Sequence, residues 1–123
     1  MTTQSKRAAG AEAQRRWRSK LSTAQKAELR WKYNLSSVYG ITEEQYEAML
    51  TVQGGRCAIC RSLPTWNWPR DGRSQPRLCI DHDHQTGKVR GLLCHACNVG
   101  IGNLGDDASR VRAALTYLLG KVE

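Results

Sequence analysis

Two Cys-x-x-Cys pairs constrain the fold of this chain more than any other feature of its sequence. Cys57 and Cys60 form the first pair and Cys94 and Cys97 the second, with 33 residues between the pairs. Zn²⁺ accepts four thiolates in a tetrahedron, and structural zinc sites are commonly built from four cysteines at such spacings. We therefore predict one structural Zn²⁺ that is bound by all four cysteines and fixes both ends of the intervening segment.

The cysteines also allow a different interpretation, in which each pair is a redox-active dithiol. Two pairs that flank a run of carboxylates and imidazoles favour zinc over redox chemistry. Cys79, the fifth cysteine, lies in an apolar stretch, so we predict a buried thiol there rather than a ligand. Close pairs with one cysteine left over are typical of a reducing compartment, and no signal peptide or membrane span is evident. We expect a soluble cytoplasmic protein.

A polar run lies between the two cysteine pairs, at residues 81–84, with the sequence Asp-His-Asp-His, and Asn98 follows the last cysteine directly. A carboxylate and an amide oxygen are hard ligands that suit Mg²⁺. An imidazole that titrates near neutral pH is a suitable base for deprotonating water. The run and Asn98 could therefore converge on a second, harder metal. A simpler alternative makes the two histidines zinc ligands, which four well-spaced cysteines render unnecessary.

Hydrophobic periodicity and capping signals predict helices on both sides of this segment. One helix begins at Thr23 and ends before residue 39. Thr42 and Gln45 form a capping box that opens a second helix, which extends to about residue 50 or 53. A final helix begins after Asp106 or Asp107 and has one apolar face, formed by Ala108, Val111, Leu115, Leu118 and Leu119.

Between these helices the pattern predicts a pair of strands and a short helix. Residues 78–80 indicate a strand that runs into Asp81, residues 85–87 a turn, and residues 88–93 the return strand. A short helix that carries Asn98 follows the second cysteine pair. Residues of a strand alternate between its two sides, so the two histidines of the polar run should lie on one side and the two aspartates on the other, unless the chain bends at the turn.

This order of strand, turn, strand and helix, with Asp-His ending the first strand and an asparagine on the helix, resembles the ββα-metal (HNH) nucleases. More closely, the string YGITEEQYEAML…GGRCAIC…CIDHDHQTGKVRGLLCHACNVGIG is similar to the phage recombination endonuclease VII family. The resemblance covers residues 39–119 and implies an α+β fold, a small zinc-stapled ββα-metal core with flanking helices. We accordingly divide the chain into a basic N-terminal extension, residues 1–38, partly disordered or helical, and a zinc-bound HNH endonuclease domain, residues 39–123.

The resemblance implies a phage-encoded enzyme that nicks or cuts DNA by hydrolysing phosphodiester bonds, with structural Zn²⁺ and a catalytic Mg²⁺ or Mn²⁺. His82 takes the position of the general base, and Asp81 and Asn98 take those of the ligands of the catalytic cation. His84 is a further catalytic candidate, with a structural bond to the turn as its alternative. One helical turn after the asparagine the family prototype carries an acidic residue, where this chain has Ile101.

Asp83 is expected to hold the turn or to orient a histidine. The residues after the second cysteine pair are fewer here than in the family prototype, whose further helices build a dimer that grips branched DNA. That departure weakens the case for cleavage of DNA junctions.

The positive charge of the chain is concentrated near its N-terminus. Residues 1–40 carry nine Lys or Arg against two Glu, while the remainder is nearly neutral in a chain of net charge +8. A basic arm on a neutral domain favours DNA as the partner, and a solvated tail is the alternative. The arm residues predicted to contact phosphates without sequence preference are Arg15, Arg16, Arg18 and Lys20.

Lys88 and Arg90, on the predicted return strand, are expected to contact phosphates beside the site. Trp66 and Trp68 could stack on bases or pack over the zinc site.

A second functional hypothesis is a non-catalytic zinc module that binds DNA or a phage packaging or recombination protein through the basic arm. Such a module has no need for Asp81, His82 and Asn98 together. These three residues therefore separate the two hypotheses and favour the endonuclease.

Overall fold

The computed structural model describes residues 2–64 and 76–121. In these residues the chain forms helices and one two-stranded antiparallel sheet, which agrees with the predicted α+β class. In chain order they are α1 (Thr3–Ser19), α2 (Thr23–Ser37), α3 (Glu43–Val52), β1 (Cys79–His82), β2 (Val89–Leu93), α4 (His95–Asn103) and α5 (Ala108–Leu118). No helix in this part of the chain is long and apolar enough to cross a membrane.

Side-chain caps fix where the helices begin. The predicted capping box at the start of α3 is confirmed: the Thr42 N–H donates to Gln45 Oε1 at 2.8 Å, and the Gln45 N–H donates to Thr42 Oγ1 at 3.1 Å. Ser22 and Gln25 form the same motif at the start of α2. Each box satisfies two backbone donors that have no partner within the helix, so both helices start at residues determined locally.

The sheet carries a bulge at its functional end. Cys79 pairs with Leu93, and the pairing is regular as far as Asp81 opposite Gly91. His82 then pairs with Val89, so β2 has one residue more than β1 across this step. A bulge of this kind bends its strand and redirects the side chain of the extra residue. Here the extra residue is Arg90.

The buried core lies between α2, α3 and the sheet. Its members are Leu35, Tyr46, Cys57, Leu78, Ile80, Leu92, Leu93 and Cys94. Trp31 of α2 meets the Tyr46 ring edge-on, with centroids 5.2 Å apart, and the Tyr46 hydroxyl donates to the Leu78 carbonyl at 3.1 Å. Although α2 belongs to the segment that we assigned to the N-terminal extension, it helps to build the core.

The first and last helices contribute little to this core. The segment before α2, which we expected to be partly disordered or helical, forms the helix α1, and none of the residues of α1 is buried. The predicted final helix is confirmed, with Asp107 as its N-cap. Its apolar face is largely exposed, since Leu115 keeps 56% and Leu118 keeps 80% of its surface accessible.

Gln53, directly after α3, fastens that helix to the outer edge of β2. Its Nε2 donates to the carbonyls of Arg56 and Leu92, at 2.8 and 2.9 Å, and its Oε1 accepts from the Leu92 N–H at 3.0 Å. Leu92 is completely buried. The Gln53 amide thus forms the hydrogen bonds that a neighbouring strand would form with Leu92, and it satisfies backbone groups that are shielded from water.

We predict that Gln53→Ala lowers the free energy of unfolding by about 1–3 kcal/mol, because a buried N–H loses its acceptor. Urea unfolding of the zinc-loaded protein measures the change. Val52→Ala is the matched control: the neighbouring Val52 is 87% exposed, so its truncation should change stability by less than about 0.5 kcal/mol. Equal effects of the two substitutions would contradict this role of Gln53.

Candidate metal centre and active site

The four predicted zinc ligands come together in the fold. The Sγ atoms of Cys57, Cys60, Cys94 and Cys97 all lie within 4.8 Å of one another. A tetrahedral Zn²⁺ with bonds of about 2.3 Å would place its sulfur ligands about 3.8 Å apart. The Sγ atoms of Cys60 and Cys94, one from each pair, are 3.6 Å apart. This mixing of the two pairs fits one zinc site and argues against two separate dithiols.

Local backbone structure positions both pairs. Gly54 and Gly55, with φ of +65° and +73°, reverse the chain after α3. The Ala58 N–H donates to the Leu92 carbonyl at 3.1 Å, which attaches the first pair to β2. The second pair lies at the start of α4, where Cys94 is the N-cap and its Sγ accepts from the backbone N–H three residues later at 3.4 Å. Closing the cluster therefore joins the α3–β1 connection to α4.

The electrostatics of the cluster suit a cation. Burial opposes ionisation of Cys57, but the backbone N–H groups around its sulfur outweigh it and lower its pKa to about 6. Ser62, through its hydroxyl and its backbone, lowers the pKa of Cys60. Burial, together with the neighbouring sulfurs, raises the pKa of Cys97 to about 12. Four thiolates cannot share this space unless a positive charge offsets their repulsion, and zinc coordination supplies one.

The positions of Cys79 and of the two histidines bear on the identity of the zinc ligands. Cys79 lies outside the cluster, as expected for a residue that is not a ligand, although it is half-buried rather than fully buried. The alternative in which His82 and His84 are zinc ligands finds no support. Among the described residues, the four cysteines are the only group of histidine, cysteine or acidic side chains that converges closely enough for a metal.

Asp81 lies at the bulge and is 7% exposed. Both of its carboxylate oxygens accept hydrogen bonds from Arg90: Nε donates to Oδ2 at 2.8 Å, and Nη2 donates to Oδ1 at 3.0 Å. The same Nη2 donates to Asp106 Oδ1 at 2.6 Å. Arg90, predicted as a phosphate contact, thus binds two carboxylates in this structure.

The two histidines lie side by side, although His84 lies in the turn that follows β1. Their rings stack with centroids 4.8 Å apart and planes inclined by 29°. The ring of Tyr39 packs edge-on against His82, with centroids 5.7 Å apart. His82 is half-buried between these rings, whereas His84 is exposed. The imidazole of His82 is therefore held on two sides and keeps partial access to solvent.

Asp83 holds the turn that follows β1. Its Oδ1 accepts from the backbone N–H groups of Gln85 and Thr86, at 2.8 and 3.1 Å, and its own N–H donates to the Lys88 carbonyl at 2.8 Å. The bonds from Thr86 and Gln85 hold the pKa of the Asp83 carboxyl below its ordinary value. Of the two roles expected for Asp83, the structure shows the one in the turn.

Asn98 lies on the helix that begins at the second cysteine pair. It lies on α4 one turn after Cys94, whose carbonyl accepts from the Asn98 N–H at 3.0 Å, and it is half-buried. The helix α4 contacts β1, the strand that carries Asp81 and His82. Ile101, which stands where the family prototype has an acidic residue, packs against the core.

The predicted basic residues are exposed. Arg15, Arg16 and Arg18 project from α1, and Lys20 caps its C-terminal end. Lys88 is exposed at the end of the turn before β2. Their contacts with DNA stay predictions. Trp66 and Trp68, predicted either to stack on bases or to cover the zinc site, lie outside the described residues.

Sequence reasoning missed two features of this surface. Asp106 was considered only as a helix cap, and nothing in its neighbourhood in the sequence indicates its bond to Arg90. A groove beside α2 is lined by Arg18, Lys26, Arg30 and Tyr33, together with Leu29. The four-residue spacing of Lys26 and Arg30 was the available signal, because residues so spaced share one side of a helix.

Comparison with known proteins identifies the relatives of this chain. The family model described as recombination endonuclease VII matches residues 32–120. The Gene 59 protein of Mycobacterium phage D29 is 45% identical over 83 residues, and that of Mycobacterium phage L5 is 42% identical over 84. These alignments cover 67% and 68% of this chain but 46% of each relative. The chain therefore spans about half the length of the curated relatives it matches.

We predict that Cys57→Ser or Cys94→Ser yields an insoluble or molten protein without zinc, because metal binding and folding should be one event in so small a core. Elemental analysis of the folded protein should give one zinc per chain. Cys79→Ser is the matched control and should stay folded with its zinc. Folded protein that lacks zinc, or that contains a Cys57–Cys60 disulfide, would contradict the prediction.

Proposed function

The chain belongs to the recombination endonuclease VII family, and from this premise we propose that it is a DNA endonuclease of the HNH type that hydrolyses phosphodiester bonds. The observation that carries the proposal is the position of α4. This helix begins directly after Cys94, carries Cys97 and the predicted ligand Asn98, and contacts β1, which ends in Asp81 and His82. A structural metal and a set of residues suited to hydrolysis thus share one small framework.

In this proposal the zinc is structural. The four cysteines would occupy all four positions of a tetrahedral ion, which leaves none for water or substrate. The zinc instead fixes α4 relative to the sheet. Since Asn98 follows Cys97 directly, a zinc ion bound by the cluster would also restrain the backbone at Asn98.

His82 is the proposed general base. Its ring is packed between Tyr39 and His84, which restrains its orientation. In this proposal the imidazole accepts a proton from the attacking water. Partial exposure lets this imidazole exchange protons with solvent between turnovers. His84 is stacked on His82 and is more exposed, and we propose that it contacts the scissile phosphate.

Asp81 and Asn98 are the proposed ligands of a divalent cation, Mg²⁺ or Mn²⁺. A carboxylate and an amide oxygen suit such a hard ion, which keeps several waters and takes phosphate oxygens as further ligands. When bound, the cation would stabilise the negative charge that develops on the phosphate. The protein itself contributes the alignment of Asp81, which is buried and held by two hydrogen bonds.

DNA binding is assigned to the basic residues of the arm and of α2. The arm residues Arg15, Arg16, Arg18 and Lys20 would give affinity that does not depend on sequence and weakens with salt. The groove lined by Arg18, Lys26, Arg30 and Tyr33 would continue this surface towards the core.

One observation favours a second candidate, a zinc module that binds DNA without cleaving it. Both oxygens of Asp81 are hydrogen-bonded to Arg90, as in a purely structural ion pair. Incubation with supercoiled, linear and four-way-junction DNA, with and without Mg²⁺, separates the candidates. Cation-dependent cleavage supports the endonuclease, and binding without cleavage supports the module.

We predict that His82→Ala lowers the cleavage rate by about 10²- to 10⁴-fold, the range typical of a lost general base. Zinc content and DNA affinity should be unchanged. Nicking of supercoiled plasmid with Mg²⁺ measures the rate. His95→Ala, a half-buried histidine between the cysteines of the second pair, is the matched control and should cleave normally. Loss of zinc from the His82 variant would make His82 a ligand and contradict the assignment.

We predict that deleting residues 2–20 weakens DNA binding and flattens its salt dependence, because Lys6, Arg7, Arg15, Arg16, Arg18 and Lys20 are removed. The chemical step at saturating DNA should be preserved, since the arm only raises the local DNA concentration.

Asn98→Ala should have the opposite effect to deletion of the arm: cleavage should fall, while DNA affinity in metal-free buffer stays the same.

For the arm deletion, DNA titrations at several salt concentrations measure the salt dependence of binding. Gln substitutions at the four arm positions 15, 16, 18 and 20 control for loss of the helix itself. An unchanged salt slope in the truncated protein would show that the arm does not bind DNA.

A further inference from the structure

Arg90 occupies an unusual place in the sheet. Regular pairing of antiparallel strands would place its side chain on the face opposite to that of Asp81, because Asp81 pairs with Gly91 and neighbouring residues alternate. The bulge gives β2 one extra residue at this step, and the guanidinium reaches the carboxylate of Asp81. The bulge therefore has a specific effect: it delivers a cation to the proposed metal ligand.

Arg90 forms a hydrogen bond with each oxygen of the Asp81 carboxylate. Two parallel hydrogen bonds, at 2.8 and 3.0 Å, occupy one lone pair on each oxygen. Asp81 is buried, and among the described residues it forms an ion pair only with the guanidinium of Arg90. A second cation that approached this carboxylate would meet both occupied oxygens and the positive charge of Arg90.

Asp106 provides a second position for the same guanidinium. It follows α4 with a left-handed backbone, φ +55°, after Gly105 at φ +76°, and its N–H donates to the Ile101 carbonyl at 2.9 Å. Aspartate tolerates this conformation better than most residues. Its carboxylate accepts from Arg90 Nη2 at 2.6 Å, the shortest of the three bonds, and lies next to the backbone of His84.

We propose that Arg90 is a resident counter-cation that holds Asp81 in the metal-free protein and must leave it when a divalent cation binds, and that Asp106 retains the displaced guanidinium. The inference rests on the proposed function, because it requires Asp81 to be a metal ligand. Arg90 is then a positioning residue that holds the Asp81 carboxylate in place and opposes metal binding. Its predicted phosphate contact becomes available only after displacement.

The first test is Mn²⁺ binding to the zinc-loaded full chain without DNA, followed by the loss of the free-Mn²⁺ EPR signal. Arg90→Gln should bind Mn²⁺ about tenfold more tightly than wild type, the scale of coupling within one hydrogen-bond network. Arg110→Gln is the matched control. The Arg110 guanidinium lies against Gly105, so this variant removes the same charge nearby without touching Asp81. Unchanged or weaker binding by Arg90→Gln, or equal gains in both variants, would overturn the proposal.

The second test concerns Asp106. Asp106→Asn keeps a residue that tolerates the left-handed backbone and removes the charge that retains Arg90, so Mn²⁺ affinity should fall. In the Arg90→Gln background the same change should have no further effect, because the guanidinium that Asp106 serves is gone. An equal loss in both backgrounds would mean that Asp106 acts on the metal directly, and the retention step would be wrong.

Arg90→Lys covers the case in which the glutamine variant does not fold. A single ammonium cannot form the two parallel bonds of a guanidinium, so this variant should bind Mn²⁺ more tightly than wild type but less tightly than Arg90→Gln. Binding that equals wild type would overturn the proposal.

Two outcomes of the Mn²⁺ titrations distinguish an error in the proposed catalytic cation from an error in the role proposed for Arg90. If wild type and all variants bind no Mn²⁺, the proposed catalytic cation is wrong, and the role of Arg90 falls with it. If wild type binds Mn²⁺ and Arg90→Gln shows no gain, only the role of Arg90 is wrong.

Discussion

Convergence of four cysteines from two distant parts of the chain is the constraint on which the rest of the structure depends. The core has few large side chains and the chain lacks phenylalanine, so apolar burial alone gives little stability. A metal that binds all four sulfurs would close the connection after α3 onto α4 and enclose the sheet between them. The position of α4, and with it that of Asn98, follows from this closure.

A second constraint acts at the far end of the same sheet. The bulge between Asp81 and His82 brings Arg90 to a buried carboxylate, and Asp106 binds the same guanidinium from the end of α4. The proposed ligand Asp81 belongs to this carboxylate cluster, and the cysteine cluster lies towards the other end of the sheet. The cysteine cluster joins the α3–β1 connection to α4, and the carboxylate cluster joins the segment after α4 to the sheet.

The helix α2 packs against the domain, although it precedes the sequence motifs that resemble the family. Leu35 is buried in the core, and the guanidinium of Arg77 lies 4.0 Å from the Trp31 ring centroid and binds Glu28. These contacts connect α2 to the segment that leads into β1, and the family match begins within α2, at residue 32. The boundary that we drew at residue 38 follows the resemblance in sequence, whereas the packing continues beyond it.

The sequence by itself determined what depends on spacing between near neighbours. The cysteine pairs, the Thr42 capping box and the strands around Asp81 follow from local chemistry and strand alternation. Only the tertiary structure decided that Arg90 binds Asp81 and Asp106. This network depends on a bulge that breaks the alternation and on a left-handed residue after α4, and neither has a periodic signature in the sequence. Contacts between residues that are far apart in the chain are set by packing, which no local pattern encodes.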